Sequence, residues 1–124
     1  MAGHPDSIDR LNTLIRSFAD ERDWQQFHSP KNLSMALIVE AAELVEHFQW
    51  LSQQESLELS STEQEEVALE MADIFIYLVR MADRLDIDLL RAARSKIAIN
   101  SQRYPADKAS GRADKYTRYQ QEES

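Results

Sequence analysis

Four acidic residues sit where acids are costly. Glu40 and Glu43 fall three apart inside an otherwise apolar run, and Glu70 and Asp73 repeat the spacing thirty residues later. At about 100° per residue, the members of each pair stand roughly 60° apart on one helix face. Leu33, Leu37, Leu44 and Leu51 project to within about 60° of Glu40, while Ile38, Ala41, Val45 and Phe48 cover the opposite flank. Glu70 and Asp73 share their face with Val67, Ile74 and Tyr77, and Phe75, Ile76, Leu78 and Val79 fill the other sides. A helix apolar all round is expected to be buried, in a bundle or between subunits. A carboxylate buried alone needs a cation or a proton. No basic residue lies near these four, and Arg80 is two turns beyond Asp73. Oxygen-only ligands from two helices suit a hard divalent cation, with magnesium the natural choice because it keeps sites for water and phosphates. The alternative is a carboxylate cluster that shares protons or reaches solvent and holds no metal.

Other residue types could serve the same chemistry. Tyr77 lies one turn after Asp73, bringing an aromatic ring to the acidic face. Trp24, Trp50 and His28 could stack on a base, although each Trp taken singly also fits a core or an interface. Lys96 and Asn100 are i and i+4 on one helix face, a point charge and a directed donor suited to a polyphosphate, or simply a solvent-facing pair. A carboxylate beside a metal can accept a proton from water, and Glu43 and Glu46 are both candidates.

Four helices are expected to position these groups. The first spans residues 7–22, with Ile8, Leu11, Leu14, Ile15 and Phe18 at helical spacing and Asp6 or Ser7 as cap. Residues 24–28 form a short connector. Ser29 caps a second helix over residues 30–51, with Pro30 in its first turn. Residues 52–61 read as a polar linker, and Thr62-Glu63-Gln64-Glu65 as a capping box opening a third helix that ends near Leu85. Asp86 or Asp88 caps a fourth helix running to Gln102, which Tyr104-Pro105 stops. The expectation is one all-α domain, a four-helix bundle over residues 1–105. A basic, partly flexible tail over 106–124 carries Lys108, Arg112, Lys115 and Arg118, which could close over phosphates as a lid or simply be a disordered tail.

Composition narrows the classes further. The 124 residues suffice for one core, and two Gly with three Pro are too few for a turn-rich β fold. The absence of Cys excludes disulfides, zinc–thiolate sites and thiol nucleophiles. A net charge of −8 argues against a nucleic-acid partner bound through phosphate neutralisation. Between Asn32 and Val79 there are ten carboxylates and no Lys or Arg, so the acidity is concentrated around the candidate ligands. No apolar run approaches the roughly 20 residues of a membrane span, and residues 1–6 lack the look of a secretion signal, so a cytoplasmic protein with no membrane partner is expected.

Glu40-Ala41-Ala42-Glu43 with Glu70-Met71-Ala72-Asp73 resembles the E-x-x-E…E-x-x-D signature of the MazG-like all-α nucleoside triphosphate pyrophosphohydrolases. Residues 21–28 (ERDWQQFH), Phe48-Gln49-Trp50, residues 73–78 (DIFIYL), Lys96 with Asn100, Arg103-Tyr104-Pro105 and Lys115-Tyr116-Thr117 resemble its dCTP pyrophosphatase-like branch. The likeness runs over residues 8–119. It implies a homodimer or dimer of dimers that cleaves a nucleoside triphosphate between the α and β phosphates, releasing monophosphate and pyrophosphate. The substrate it implies is a (d)NTP, dCTP or a related or modified deoxynucleotide first. It further implies that Glu40, Glu43, Glu70 and Asp73 hold Mg2+. Trp24, His28, Trp50 and Tyr77 would enclose base and sugar, and Lys96 and Asn100 would hold phosphates. Glu40, Glu43 and Lys96 are then the candidate catalytic residues. Two positions depart from the pattern: Val39 stands where many relatives have a third acid, and Ile15 where some dCTP-preferring relatives have His. Competing expectations are a same-fold hydrolase of another nucleotide such as phosphoribosyl-ATP, and a non-catalytic helical assembly protein. A di-iron bundle wants E-x-x-H, but Leu44 precedes His47 by three and Gln25 precedes His28 by three.

Overall fold

The computed structural model describes residues 7–123, and all its regular elements there are helical. Asp6, the other candidate for the first cap, lies outside the described residues, as do the rest of residues 1–6 and Ser124. Chain contacts gather into two compact units that divide between Ile87 and Asp88.

The first unit contains α1 (Ile8–Glu21), a 3-10 turn (Gln25–Phe27), α2 (Pro30–Glu46), α3 (Gln53–Ser56) and α4 (Ser61–Arg84). Helix α4 is its spine: α2 packs along it most extensively and α1 beside it. Ile15 and Ala19 of α1, Leu33 of α2, and Val67, Val79 and Ala82 of α4 are the buried apolar residues. Starts are fixed by side-chain oxygens that take up orphaned N–H groups. The hydroxyls of Ser7 and Ser29 accept from the backbone N–H of Arg10 and Asn32.

Two stops come from a device that sequence reading passed over. Asp23 and Asp86 adopt left-handed φ of 54°, a role usually filled by Gly. Around them the Trp24 N–H reaches the Ala19 carbonyl at 2.9 Å, and the Ile87 N–H reaches that of Ala82 at 2.8 Å. Both α1 and α4 therefore end in a Schellman turn, and the first of these sets where Trp24 leaves the helix.

Three expectations in this unit need correction. Helix α2 stops at Glu46 rather than Leu51, and residues 47–50 form turns. The linker is not wholly irregular, because Ser52 and Glu55 close a capping box over the one-turn α3. The box opening α4 pairs Ser60 with Glu63, two residues before the expected Thr62 and Glu65, so the helix starts earlier. Within the single chain, α2 and α4 are not buried on all sides: Met35, Ile38, Val39 and Val45, with Leu69 and Met71, are more than half exposed.

The second unit contains α5 (Leu89–Arg103), α6 (Ala106–Ala109) and α7 (Tyr116–Glu123). Of the two candidate caps, Asp88 is the one used, its carboxylate accepting from the Arg91 N–H at 3.0 Å. The segment expected as a partly flexible tail carries two short helices, α6 and α7. Tyr119 of α7 is 2% exposed, with its ring 5.7 Å edge-on to Tyr104 and the Arg112 guanidinium 4.9 Å over its face. Burying one large aromatic gives this small unit a core that the polar sequence around it does not advertise. Among the described residues, no helix is long and apolar enough to cross a membrane.

Candidate active site

The acidic pairs meet where α2 lies along α4. Glu40, Glu43 and Glu70 each offer a carboxylate oxygen, and these atoms lie within 4.8 Å of one another. One oxygen each of Glu40 and Glu70 is sealed from solvent and has no hydrogen-bond partner among the described residues. Orphaned anionic oxygens in low dielectric are costly unless something positive is shared between them. Desolvation, then the approach of Glu70 and Glu43 and the nearby charge of Asp73, push the Glu40 pKa up to about 7. The metal-free cluster thus relieves its repulsion by holding a proton, at the position where a divalent cation would serve better. The donor set is all oxygen, with no Cys in the chain, and it fits a hard cation such as Mg2+. Asp73, one turn along α4, stands outside the tight triplet but close enough to raise both Glu40 and the Tyr77 phenol, whose own pKa goes up mainly by burial.

Asp73 also lines a cavity of about 360 Å³ inside the first unit. One wall is the apolar stripe of α1, where Leu11, Leu14, Ile15 and Phe18 face the space. By its spacing the α1 stripe reads as core, yet Leu14 is 54% and Phe18 49% exposed, and both line the cavity. Trp24 and His28 close one end, with Trp24 edge-on to Phe18 at 5.6 Å and to His28 at 6.3 Å. The far wall is α4, where Asp73, Tyr77 and Arg80 at i, i+4 and i+7 form a polar line. An aromatic, mostly apolar space with acids at one edge is shaped for a ligand with a flat ring and a charged, metal-seeking end.

Of the residues expected at a site, the structure brings together Glu40, Glu43 and Glu70, and gathers Asp73, Trp24, His28 and Tyr77 around the cavity. Trp50 does not join them in the single chain. It follows the early end of α2, is 87% exposed, and does not line the cavity. Glu46 is exposed and outside the carboxylate triplet. Lys96 and Asn100 share a face of α5 in the second unit and are both exposed.

Sequence reasoning misses Arg80. Its side chain is 3% exposed, and it donates from Nε to His28 Nδ1 at 3.2 Å and from Nη1 to Asp83 at 3.3 Å. Asp83 also accepts from Asn12 and from both Nε and Nη2 of Arg16. The Arg16 hydrogen bond holds the Asp83 carboxyl down at about 2, helped by Asn12 and the two guanidinium charges against a desolvation penalty. His28 is pushed below its ordinary value by burial and by Arg80 and Arg84. The signal is present in the Asp73–Tyr77–Arg80 periodicity, but distance from the acids hides it.

A family model described as MazG-like matches residues 35–118, the segment that carries all four acids. The chain belongs to the MazG-like family. It is 45% identical to dCTP pyrophosphatase 1 of Rattus norvegicus over 113 residues, which cover 90% of this chain. Against dCTP pyrophosphatase 1 of Homo sapiens it is 43% identical over the same length. The chain spans 66% of the length of each of these two relatives. A crystal structure of a pyrophosphatase from Archaeoglobus fulgidus superposes with a TM-score of 0.77 at 36% identity, covering 85% of this chain and 98% of that one. The all-helical fold of this MazG-like chain therefore has a solved counterpart.

Proposed function

We propose that the chain is a magnesium-dependent nucleoside triphosphate pyrophosphohydrolase, acting on a (d)NTP such as dCTP or a related deoxynucleotide and releasing the monophosphate and pyrophosphate. The observation that carries this reading is the adjacency of a three-carboxylate cluster, with Asp73 beside it, to an aromatic cavity that Asp73 itself lines. The names borne by the rat and human relatives and by the Archaeoglobus protein support the same reaction.

In this reading Glu40, Glu43, Glu70 and Asp73 hold Mg2+. The ion supplies charge neutralisation for the phosphate oxygens and lowers the pKa of water for attack on phosphorus. Glu43 accepts the proton that the attacking water gives up, and the bond that breaks joins the α phosphorus to the bridging oxygen of the β phosphate. Trp24 offers a ring face to the base, Tyr77 orients the sugar between base and acids, and His28 donates from the cavity wall. Lys96, with Asn100, contacts the departing phosphates. The exposed apolar flanks of α2 and α4 are covered by further copies of the chain in a homodimer or dimer of dimers. Trp50, bare in the single chain, completes a cavity in that assembly. The reaction runs in the cytoplasm.

Incubating purified protein with the eight common nucleoside triphosphates and Mg2+ tests the reading. The expected products are monophosphate and pyrophosphate, with no turnover when the divalent cation is chelated. Diphosphate with orthophosphate, or no product from any nucleotide, would overturn it.

A further inference from the structure

Arg80 is an expensive residue to keep where it is. A guanidinium 3% exposed loses most of its hydration, and its Nη2 has no hydrogen-bond partner among the described residues. Its other two nitrogens point to a purpose. Nη1 is fixed by Asp83, which Arg16 and Asn12 hold from α1. Nε then donates to one specific atom, His28 Nδ1.

Arginine has donors only and does not lose its proton in a protein. The atom facing Nε must therefore be a lone pair. With Nδ1 accepting, a neutral imidazole carries its proton on Nε2, and the ring offers that N–H as a donor. Protonating His28 would put a second N–H against the Arg80 Nε–H, so the arrangement also disfavours the cation. Burial and the charges of Arg80 and Arg84 act in the same direction, while Asp73 and Tyr77 are the other titratable groups on the walls of this cavity.

The position along α4 says what meets this donor. Arg80 lies seven residues beyond Asp73, about 10 Å along the helix axis at 1.5 Å per residue. A nucleotide whose phosphates lie at the acids has its nucleoside, not its phosphates, beside His28. We infer that Arg80 is a positioning residue that locks His28 in the neutral Nε2–H tautomer, so that His28 donates to a hydrogen-bond acceptor of the bound nucleoside. The inference rests on the nucleotide reading above, and binding of dCMP, which needs no turnover, separates the two.

The experiment uses full-length protein carrying 15N-labelled histidine, with the ring nitrogens of His28 read by long-range NMR correlation across pH 5–8. Wild type is expected to show Nδ1 as a bare acceptor and Nε2 protonated, with the Nε2–H signal moving when dCMP is added. In Arg80→Met the ring should lose its single tautomer, titrate nearer its ordinary range, and bind dCMP more weakly, by at most about 10-fold, the ceiling set by one neutral hydrogen bond. Arg80→Lys, which can still donate, should recover most of both effects, and helical circular dichroism checks that each variant is folded. A proton on Nδ1 in wild type, a His28 signal indifferent to dCMP, or equal dCMP affinity in Arg80→Met would each overturn the proposal. A protein that binds dCMP in this way but hydrolyses no triphosphate would leave the proposal standing and remove the pyrophosphohydrolase reading.

Discussion

Replacing Glu40 by Gln should make the metal-free protein more stable and unable to use magnesium. The folded chain holds a proton on Glu40 up to about pH 7, whereas an unperturbed glutamate releases it near 4.5. A carboxyl whose pKa is raised by folding contributes its stability in full below the unfolded value, and that contribution is lost as pH rises through the folded one. Wild type without metal should therefore weaken between about pH 4.5 and 7. At 1.36 kcal/mol per pH unit the loss has an upper bound of roughly 3 kcal/mol. Solvent reaches part of the Glu40 side chain and the proton is shared among three acids, so half of that, ~1.5 kcal/mol, is the expected size. For a chain of this length, that is a fall in Tm of about 5 °C. The amide introduced by Glu40→Gln carries no such titration, so the mutant's Tm should stay level over the same window and exceed that of wild type at pH 8. Added Mg2+ should raise the wild-type Tm by mass action and leave the mutant's nearly unchanged. Thermal unfolding in EDTA and in millimolar Mg2+, at half-unit steps from pH 4.5 to 8.5, reads all of this. A mutant that keeps the wild-type pH slope, or gains as much from Mg2+, would refute the reasoning.

Substitutions at two other positions test the packing in each unit. Asp83→Asn removes the anion between Arg16 and the buried Arg80, and should cost about 2 kcal/mol at pH 7 by leaving a buried cation short of its partner. Because the Asp83 pKa is depressed to about 2, that stabilisation is present above pH 4 and lost towards pH 2, so denaturant melts of wild type and mutant should converge on acidification. Tyr119→Phe deletes a hydroxyl that is buried without a partner among the described residues and should be neutral or slightly stabilising in urea unfolding. Tyr119→Ala, which empties the core of the second unit, should cost about 3–5 kcal/mol, and equal effects of the two changes would contradict the packing described for α7.

Much of this molecule could be read from its residues alone, where local rules act. The apolar spacing of Ile8 to Phe18, the Ser29-Pro30 start and the i, i+3 carboxylate pairs depend on 3.6 residues per turn and on the avoidance of buried charge, neither of which needs distant contacts. Those rules also announced that two acidic pairs had to meet something positive. What they could not supply was termination and depth. Asp23 and Asp86 take a left-handed conformation that residue type does not prescribe. The end of α2 at Glu46 follows from the turns over residues 47–50, with Leu51 already beyond them. The polar segment after Pro105 gains helices because Tyr119 finds Tyr104. Likewise, the sequence offered Leu14 and Phe18 as core, and only the placement of α1 against α4 turned them into a cavity wall. Arg80 shows the division most plainly. Its identity and spacing are written in the chain, but its role depends on His28, 52 residues away, and on Asp83, three residues on, which Arg16 holds from 67 residues away. Periodicity fixes which face a side chain takes, whereas the partner across that face is decided only when helices distant in sequence are packed together.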